Sequence, residues 1–419
     1  MTQVVKRAVL AYSGGLDTSV IVHWLKARYG CEVIAYCCDV GQGQELDGLE
    51  ARARALGAAD VIVEDLKETF VHDYAFPALR AGAVYEGKYL LGTSLARPLI
   101  AARQVACARK VGADALAHGC TGKGNDQVRF ELTYLGLAPD LAVLAPWRDP
   151  AWGIVSREDA LDYAAKHGLD VPMKKSDLFS RDGNLWHLSH EGGPLEDPAT
   201  PAPESMYRLT AAPDARPQSP ERVTIGFAQG WPVSLDGTKM AAAPLLAELN
   251  ARAGRHGVGR ADIVESRVVG MKSRGVYETP GGTVLFEALE DLCRLTLTHD
   301  VLRLRAELAP RMADLIYQGM WFAPVREALS AFIDRALEPV TGSVTVELWQ
   351  GSAYAIARTS PRSLYRTDLA SFDMTGYEPR HAEGFIRIFG QPLATALAAA
   401  SSGNARGGGA SKQGETSDG

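Results

Sequence analysis

Short apolar runs and longer amphipathic stretches alternate along the first 171 residues of the chain. Five apolar runs have the length of buried strands, at residues 8–12, 33–38, 60–63, 115–118 and 141–145. The stretches between them have helical spacing of apolar positions, including residues 18–28, 45–56, 94–111 and 156–167. The last of these opens with Ser156 and Asp159, at the spacing of a capping box. Because strands and helices alternate, we predict an α/β domain with a parallel sheet over residues 1–171.

The pattern changes beyond residue 171. Residues 194–220 are crowded with Pro, Asp, Ala and Ser, which predicts an irregular surface segment. Strand-like runs then recur as two hairpins, at residues 223–227 with 232–235 and at residues 344–349 with 353–357. Helical patterns separate the hairpins, at residues 283–297, 299–317 and 324–337. We therefore predict a second, α+β domain over residues 172–365.

The end of the chain predicts two further segments. Residues 366–400 form a separate predicted segment, which includes a short Ala-rich helical pattern at residues 392–400. Residues 401–419 contain no Val, Ile, Leu or aromatic residue, so they lack the apolar surface that would offset the entropy of ordering. We predict a disordered tail there.

Composition narrows the class of partner. The chain has 419 residues, 46% of them hydrophobic, and a net charge of −6 without a basic block, which argues against a nucleic-acid partner. No apolar run has the length of a membrane span, and no signal-peptide core precedes the first strand. The six cysteines form no C-x-x-C unit and are typical of free thiols in a reducing compartment. We expect a cytoplasmic protein with no membrane partner.

The first strand runs directly into S-G-G-L-D-T-S, residues 13–19, and then into a helix. The glycines permit a tight turn, and the N–H groups of the first helical turn favour an anion, so the loop predicts a phosphate or pyrophosphate site. Asp17 would repel bare phosphate, which makes it a candidate for a Mg²⁺ contact or for orienting a substrate. A simple helix cap is the alternative for a lone S-G-G, and the full motif favours the nucleotide.

Three other patterns approach known phosphate-binding or metal-binding motifs but do not match them. Residues 119–124 approach a P-loop, but Ala117 and Gly124 occupy positions where that motif requires Gly and Ser or Thr. Residues 41–43 lack the third glycine of a dinucleotide fingerprint, because Leu46 stands there. His187 and His190 have metal-like spacing without a third clustered ligand, so we interpret them as hydrogen-bonding loop residues.

Four sequence blocks carry a resemblance to a known family. They are residues 11–19, 89–98, 118–131 and 270–280. In this order the blocks resemble the argininosuccinate synthase family, within the N-type ATP pyrophosphatases, and the similarity extends from residue 9 to about residue 389. The resemblance implies an adenine nucleotide alpha hydrolase-like domain, an α+β synthetase and multimerisation domain over residues 172–365, and a C-terminal oligomerisation segment with a helix over residues 366–400. It also implies an ATP-dependent ligase that joins citrulline and aspartate through citrullyl-AMP, releasing AMP and pyrophosphate, in arginine biosynthesis, with Mg²⁺ and as a homotetramer.

The resemblance assigns site residues by matching motif positions. For ATP it implies Ala11, Tyr12, Ser13, Gly14, Gly15, Leu16, Asp17, Thr18, Ser19, Cys38 and Gly119. For citrulline it implies Tyr89, Ser94, Asn125, Arg129, Ser180, Ser189, Glu265 and Tyr277. For aspartate it implies Thr121, Asn125 and Asp126, with Arg97 and Lys123 as further cationic candidates. Asp17, Asp126 and Arg97 are the candidate catalytic residues, and no metal ligand is assigned.

Two rival functions remain at this point. Another N-type pyrophosphatase, which modifies RNA or amidates a carboxylate, should show catalytic cysteines with a basic surface or a glutaminase nucleophile. A nucleotide-binding sensor without turnover needs only the nucleotide loop. The joint presence of Asp17, Asn125, Asp126, Arg129 and Glu265 favours the ligase.

Overall fold

The computed structural model of the chain describes residues 5–171, 179–371 and 376–407. Contacts divide the chain into two compact units, Met1–Leu364 and Tyr365–Gly419. Residues 172–178, where the predicted second domain begins, and most of the predicted tail, residues 408–419, lie outside the described ranges. Within those ranges no helix combines the length and the apolar character that crossing a membrane requires.

Five parallel strands form the first sheet. They are β1 (Arg7–Ala11), β2 (Glu32–Asp39), β3 (Asp60–Asp65), β4 (Ala115–Ala117) and β5 (Ala142–Leu144). Their order across the sheet is β3-β2-β1-β4-β5, which confirms the predicted parallel sheet. The helices around it are α1 (Leu16–Tyr29), α2 (Leu49–Ala55), α3 (Lys67–Phe70), α4 (Phe76–Ala81), α5 (Gly92–Val111), α6 (Asp126–Leu137) and α7 (Arg157–Lys166). Ser156 caps α7 through the predicted capping box with Asp159.

Both faces of this sheet are covered. Successive residues of a strand point to opposite faces, so Ala8 and Leu10 belong to one core and Val9 to the other. The first core contains residues of α1 and α7. The second contains residues of α5 and continues into the core of the following half of the chain. The strands are therefore nearly continuous apolar runs, as expected for a sheet buried on both sides.

From residue 179 onward, the first unit contains nine further strands and four helices. The strands are β6 (Ser180–Gly183), β7 (Leu188–Glu191), β8 (Glu221–Ala228), β9 (Trp231–Leu235), β10 (Thr238–Lys239), β11 (Arg260–Ser266), β12 (Lys272–Glu278), β13 (Gly342–Trp349) and β14 (Ser352–Thr359). The helices are α8 (Ala242–Arg255), α9 (Pro280–Thr296), α10 (His299–Tyr317) and α11 (Pro324–Ala336).

The two predicted hairpins lie in one antiparallel sheet. Its order is β10-β9-β8-β13-β14. Alternate residues of β8, namely Val223, Ile225 and Phe227, are buried, and they belong to the same core as residues of α8 and α9. The alternating pattern made this sheet predictable, because only one of its faces is apolar.

A third sheet, with the order β11-β12-β7-β6, is not among the predicted elements. Strands β6 and β7 are four residues long and read S-R-D-G and L-S-H-E, so neither has the apolar alternation that marks a strand. Their pairing places Ser189 opposite both Asp182 and Tyr277. Polar side chains from three strands thus come together on one sheet.

A buried carboxylate ties the irregular segment to this sheet. Glu278 is fully buried and accepts hydrogen bonds from the backbone N–H groups of Arg208, Leu209 and Thr210 and from the ring of His190. Burial by itself would raise the pKa of Glu278, but hydrogen bonds from His190 and Thr210 outweigh it and lower that pKa. Residues 194–220 contain short 3₁₀ turns and no strand or α-helix, as predicted.

The described residues of the second unit form three helices. They are α12 (Thr367–Ala370), α13 (Arg380–Phe389) and α14 (Gln391–Gly407). Helix α14 extends through residues 401–407, which the sequence predicted to lack regular structure. The good helix formers of its Ala-rich first half support the helix, and propagation from an existing helix is easier than nucleation.

Candidate active site

A cleft of about 910 Å³ opens where the strands of the first sheet end. Residues following β1, β2 and β4 line it, and β1 and β4 are the neighbours at which the strand order reverses. Ligands of open parallel sheets bind at this switch point, outside the carboxyl ends of the strands. The third sheet supplies the other wall, through residues such as Ser180, Ser189, Glu265 and Tyr277.

The S-G-G-L-D-T-S loop forms one end of the cleft. Gly14 has φ +78°, in the left-handed region, and Gly15 is the N-cap of α1. The Ser13 and Thr18 hydroxyls lie 3.1 Å apart, and Thr18 also bonds the Gly15 carbonyl at 3.3 Å. A helix N-terminus with hydroxyl groups beside it is suited to hold phosphate oxygens.

Asp17 lies at the mouth of the cleft. Its side chain is exposed, yet the surrounding protein reduces its hydration and raises the pKa of its carboxyl, while the charge of Arg157 opposes that rise. No cluster of three or more His, Cys, Asp or Glu side chains able to hold a metal occurs in the described part of the chain. Mg²⁺ bound with a nucleotide commonly takes only one or two carboxylates plus phosphate oxygens, so a single Asp17 fits such an ion.

The walls beside the loop are close-packed. Cys38 is buried, its thiol lies 3.5 Å from the Tyr36 hydroxyl, and burial raises its pKa to about 12, so it is a neutral wall residue. A Cβ at Gly119 would lie 3.0 Å from a Thr18 methyl carbon, so glycine lets the loop after β4 pass close to α1. None of the six cysteines, all of which the structure describes, forms a disulfide bond.

Two guanidinium groups share one carboxylate in the middle of the cleft. Arg97 Nε donates to Asp126 Oδ2 and Arg129 Nη1 donates to Asp126 Oδ1, both at 2.8 Å. Burial would raise the pKa of Asp126, but the charges of Arg97 and Arg129 outweigh it and lower that pKa. Arg129 is buried and also donates to the Tyr317 carbonyl at 2.9 Å. The cleft therefore holds two fixed cations around an ionised carboxylate.

A second carboxylate is surrounded by phenols. Glu265 is buried and accepts hydrogen bonds from the hydroxyls of Tyr277, at 2.8 Å, and Tyr317, at 2.6 Å. Asn125 donates to the Tyr317 hydroxyl at 2.9 Å, and the Tyr89 ring stacks on Tyr277 with centroids 4.2 Å apart. Burial raises the pKa of Tyr89 to about 12, so this phenol stays neutral at physiological pH. The described partners of Glu265 leave its negative charge uncompensated by a cation.

Most of the predicted site residues meet in this single cleft. It is lined by Ala11, Tyr12, Ser13, Gly14, Gly15, Leu16, Asp17, Thr18, Cys38, Tyr89, Arg97, Gly119, Thr121, Asn125, Asp126, Arg129, Ser180, Ser189, Glu265 and Tyr277. Ser19 and Ser94 are fully buried and do not line it. The Ser19 hydroxyl lies 3.3 Å from that of Tyr12, behind the loop. Lys123 is exposed and is also outside the lining.

Several cleft residues were not found from the sequence. Asp182, Arg157 and Arg267 line the cleft, and Arg267 pairs with Glu191 at 3.0 Å. Asp182 lies two residues from the predicted Ser180, so a polar run between matched positions was the available signal. No comparable signal distinguished Arg157 or Arg267 from other surface arginines.

The parallel sheet has a loop suited to anions at its switch point, and residues of the following antiparallel domain line the same cleft. This architecture is that of an ATP-dependent ligase built on a HUP-type nucleotide-binding domain. Residues 7–170 match the family model described as the arginosuccinate synthase N-terminal HUP domain, and residues 179–396 match the arginosuccinate synthase C-terminal domain. The chain belongs to the argininosuccinate synthase family.

Relatives at high identity agree with the family models. The chloroplastic argininosuccinate synthase of Arabidopsis thaliana is 56% identical over 390 residues, covering 93% of this chain and 78% of the relative. The argininosuccinate synthase of Roseiflexus castenholzii is 56% identical over 395 residues, covering 94% and 98%. That of Carboxydothermus hydrogenoformans is 56% identical over 389 residues, covering 93% and 96%. The family and the ligase class predicted from the sequence are thereby confirmed.

The left-handed turn at Gly14 gives a test of the nucleotide loop. In Gly14→Ala the new Cβ would lie 3.2 Å from Arg52 Nη2 and 3.3 Å from a Leu49 methyl carbon, in addition to the backbone strain. We expect ATP binding to weaken by about tenfold or more, since a left-handed alanine costs roughly 1–2 kcal/mol and the loop relaxes away from its anion-binding shape. Calorimetric titration with Mg·ATP measures this.

Gly30→Ala is the matched control. Gly30 has φ +64° but no neighbouring atom within 4 Å of its Cβ position, and it lies at the opposite end of α1. This variant should lose thermal stability and keep the ATP affinity of the unmodified chain. Equal ATP affinities in the two variants would contradict the role given to the loop.

Proposed function

We propose that the chain condenses L-citrulline with L-aspartate, with ATP converted to AMP and pyrophosphate. The ureido oxygen of citrulline attacks the α-phosphorus and pyrophosphate leaves, which gives citrullyl-AMP. The aspartate amine then attacks the ureido carbon, AMP leaves with the C–O bond pair, and the amine loses a proton. The observation that carries this proposal is one cleft holding a nucleotide loop, the Arg129 cation and the Glu265 carboxylate together.

The loop that follows β1 is the proposed ATP site. Its hydroxyls and the α1 N-terminus would receive the phosphates, and the buried wall at Cys38 would face the adenine. Asp17 would hold Mg²⁺, which when bound offsets charge on the phosphates. Both chemical steps need positioning of the substrates and neutralisation of charge rather than a covalent nucleophile. The charged and hydrogen-bonding side chains of the cleft are suited to both tasks.

The opposed charges of Arg129 and Glu265 define the proposed citrulline site. An α-carboxylate would pair with Arg129, whose planar fork suits bidentate binding, and an α-ammonium would pair with Glu265. Both side chains are buried, so neither interaction is weakened by bulk water. The hydroxyl and amide groups proposed to bond the remainder of citrulline belong to Tyr89, Asn125, Ser180, Ser189 and Tyr277, all of which line the cleft.

Aspartate is proposed to bind on the other side of Arg129. Thr121 and Asn125 would hold its polar groups, and Arg97 would pair with a carboxylate. Asp126 is the proposed partner of the incoming amine, because it is a lowered-pKa carboxylate at the centre of the cleft. A lowered pKa makes a carboxylate a poor proton acceptor, so Asp126 is proposed to hold the amine in place more than to take its proton.

A substrate-omission assay tests the proposed reaction. Pyrophosphate release is measured with Mg·ATP and with citrulline and aspartate added singly and together, and the product is identified by mass spectrometry. We expect argininosuccinate only with all three substrates. ATP binding without pyrophosphate release would favour a sensor, and turnover that ignores citrulline would favour another N-type pyrophosphatase.

Arg129 gives a test of the citrulline site. In Arg129→Gln the fork that would bind the α-carboxylate is lost, so the citrulline KM should rise about tenfold to a hundredfold while the ATP dissociation constant stays nearly unchanged. Steady-state kinetics and ATP titration measure the two quantities. Arg109→Gln removes an exposed arginine paired with Asp140 and should change neither. Equal loss of citrulline and ATP binding would refute the assigned role.

We further propose that the chain forms a homotetramer through its C-terminal unit. Apolar side chains on α13 and α14 are 63–75% exposed, namely Phe385, Ile386, Ile388, Phe389, Leu393 and Leu397. Contiguous exposed apolar groups of this kind mark protein interfaces. The absence of disulfide bonds among the six cysteines fits a reducing compartment, so we propose that the enzyme acts in the cytoplasm, in arginine biosynthesis.

A double substitution on α13 tests the assembly. Phe385 and Phe389 stack with ring centroids 5.2 Å apart. In Phe385→Ser with Phe389→Ser the apolar surface is lost, and light scattering after size exclusion should find a species smaller than the tetramer. Arg380→Ser, on the same helix, should keep the tetramer. A monomeric unmodified chain would exclude the proposed assembly.

A further inference from the structure

Arg97 forms ion pairs with carboxylates on two sides of the cleft. Its Nε donates to Asp126 Oδ2 at 2.8 Å, and its Nη2 lies 2.9 Å from Asp182 Oδ2. Asp126 belongs to α6, whereas Asp182 belongs to β6 in the third sheet. Burial would lower the pKa of Arg97, but the two carboxylates outweigh it and raise that pKa, so the guanidinium stays charged. Among the described residues, none hydrogen-bonds Nη1.

Asp182 is itself held by a hydrogen-bonded chain. Thr93 lies one turn before Arg97 on α5, on the same face, and its hydroxyl donates to Asp182 Oδ2 at 2.8 Å. Because that hydroxyl proton is used, Thr93 Oγ1 accepts from His187 Nε2, 3.1 Å away. Burial lowers the pKa of His187 to about 4, so the ring is neutral with its proton on Nε2. The orientation of the Asp182 carboxylate is therefore fixed by the Thr93 hydroxyl, which His187 holds in place, and by Arg97.

We propose that Asp182 is a positioning residue for aspartate binding: it orients Arg97 so that the free edge of the guanidinium faces the carboxylate of the incoming aspartate. This inference rests on the proposed function, which supplies aspartate as the second substrate. A guanidinium anchored at Nε and Nη2 keeps one direction for its remaining N–H groups, which reduces the entropy lost when a carboxylate binds. With Asp126 alone, the group could rotate about its Nε contact.

Four charged side chains, including that of Arg97, form a cluster with no net charge. Arg97 and Arg129 bring two positive charges, and Asp126 and Asp182 bring two negative ones. If Asp182 only neutralised charge, its direction would not matter and the Thr93 hydroxyl would be dispensable. If it positions Arg97, loss of that hydroxyl should disturb aspartate binding in particular.

Kinetics of the full-length enzyme distinguish these cases. In Asp182→Asn the aspartate KM should rise about tenfold, because Arg97 loses one of its two carboxylate anchors, whereas the KM values for citrulline and ATP should stay within about twofold. Thr93→Val should change the aspartate KM in the same direction by less, and Thr93→Ser, which keeps the hydroxyl, should restore it. Citrulline-dependent exchange of labelled pyrophosphate into ATP, measured without aspartate, should persist in all three variants.

Asp262→Asn is the matched control, because Asp262 forms a two-point ion pair with Arg274 in the same sheet, outside the cleft lining. It should leave the aspartate KM unchanged. An unchanged aspartate KM in Asp182→Asn, or equal rises for citrulline and aspartate, would overturn the positioning role. Absence of citrulline-dependent exchange in the unmodified enzyme would instead defeat the proposed function itself.

Discussion

Asp126 lies between Arg97 and Arg129, and much of the cleft depends on this three-membered contact. Arg129 is buried, and a buried guanidinium without a counter-charge would destabilise the fold by several kcal/mol. Asp126 supplies that charge at the start of α6, where the helix dipole also favours a carboxylate. The contact fixes α5 against α6. It also leaves N–H groups of the two guanidinium groups facing the space between the Ser13–Ser19 loop and the third sheet.

The walls of the cleft around this contact come from the parallel sheet, from two loops and from the third sheet. The parallel sheet ends at its switch point, so the loops after β1 and β4 must separate and leave an opening. Gly14 allows the first loop to turn with a left-handed backbone, and Gly119 allows the second to pass close to α1. The third sheet supplies polar side chains that a sheet buried on both faces could not carry. The two halves of the chain together make one site.

The sequence predicted the elements whose signals are local. The first sheet has continuous apolar strands, and the Ser13–Ser19 motif is contiguous, so both could be recognised from neighbouring residues. The third sheet escaped prediction because β6 and β7 are short and polar, and its site residues Ser180 and Glu265 entered only through family resemblance. A motif can also mark a residue that does not reach the site: Ser19 belongs to the Ser13–Ser19 motif, yet its hydroxyl lies behind the loop. Asp182 had no motif and required the folded structure.

The sequence by itself determined the parallel domain, the nucleotide loop and the family to which the chain belongs, because periodicity and contiguous motifs are encoded over short stretches. Only the tertiary structure decided how the charges pair. Asn125 meets Tyr317 across 192 positions of the chain, and Thr93 meets Asp182 across 89. Hydrogen bonds act over about 3 Å, so such partners are set by how the two halves pack together. The pairing that orients Arg97 arises only when the third sheet closes against α5.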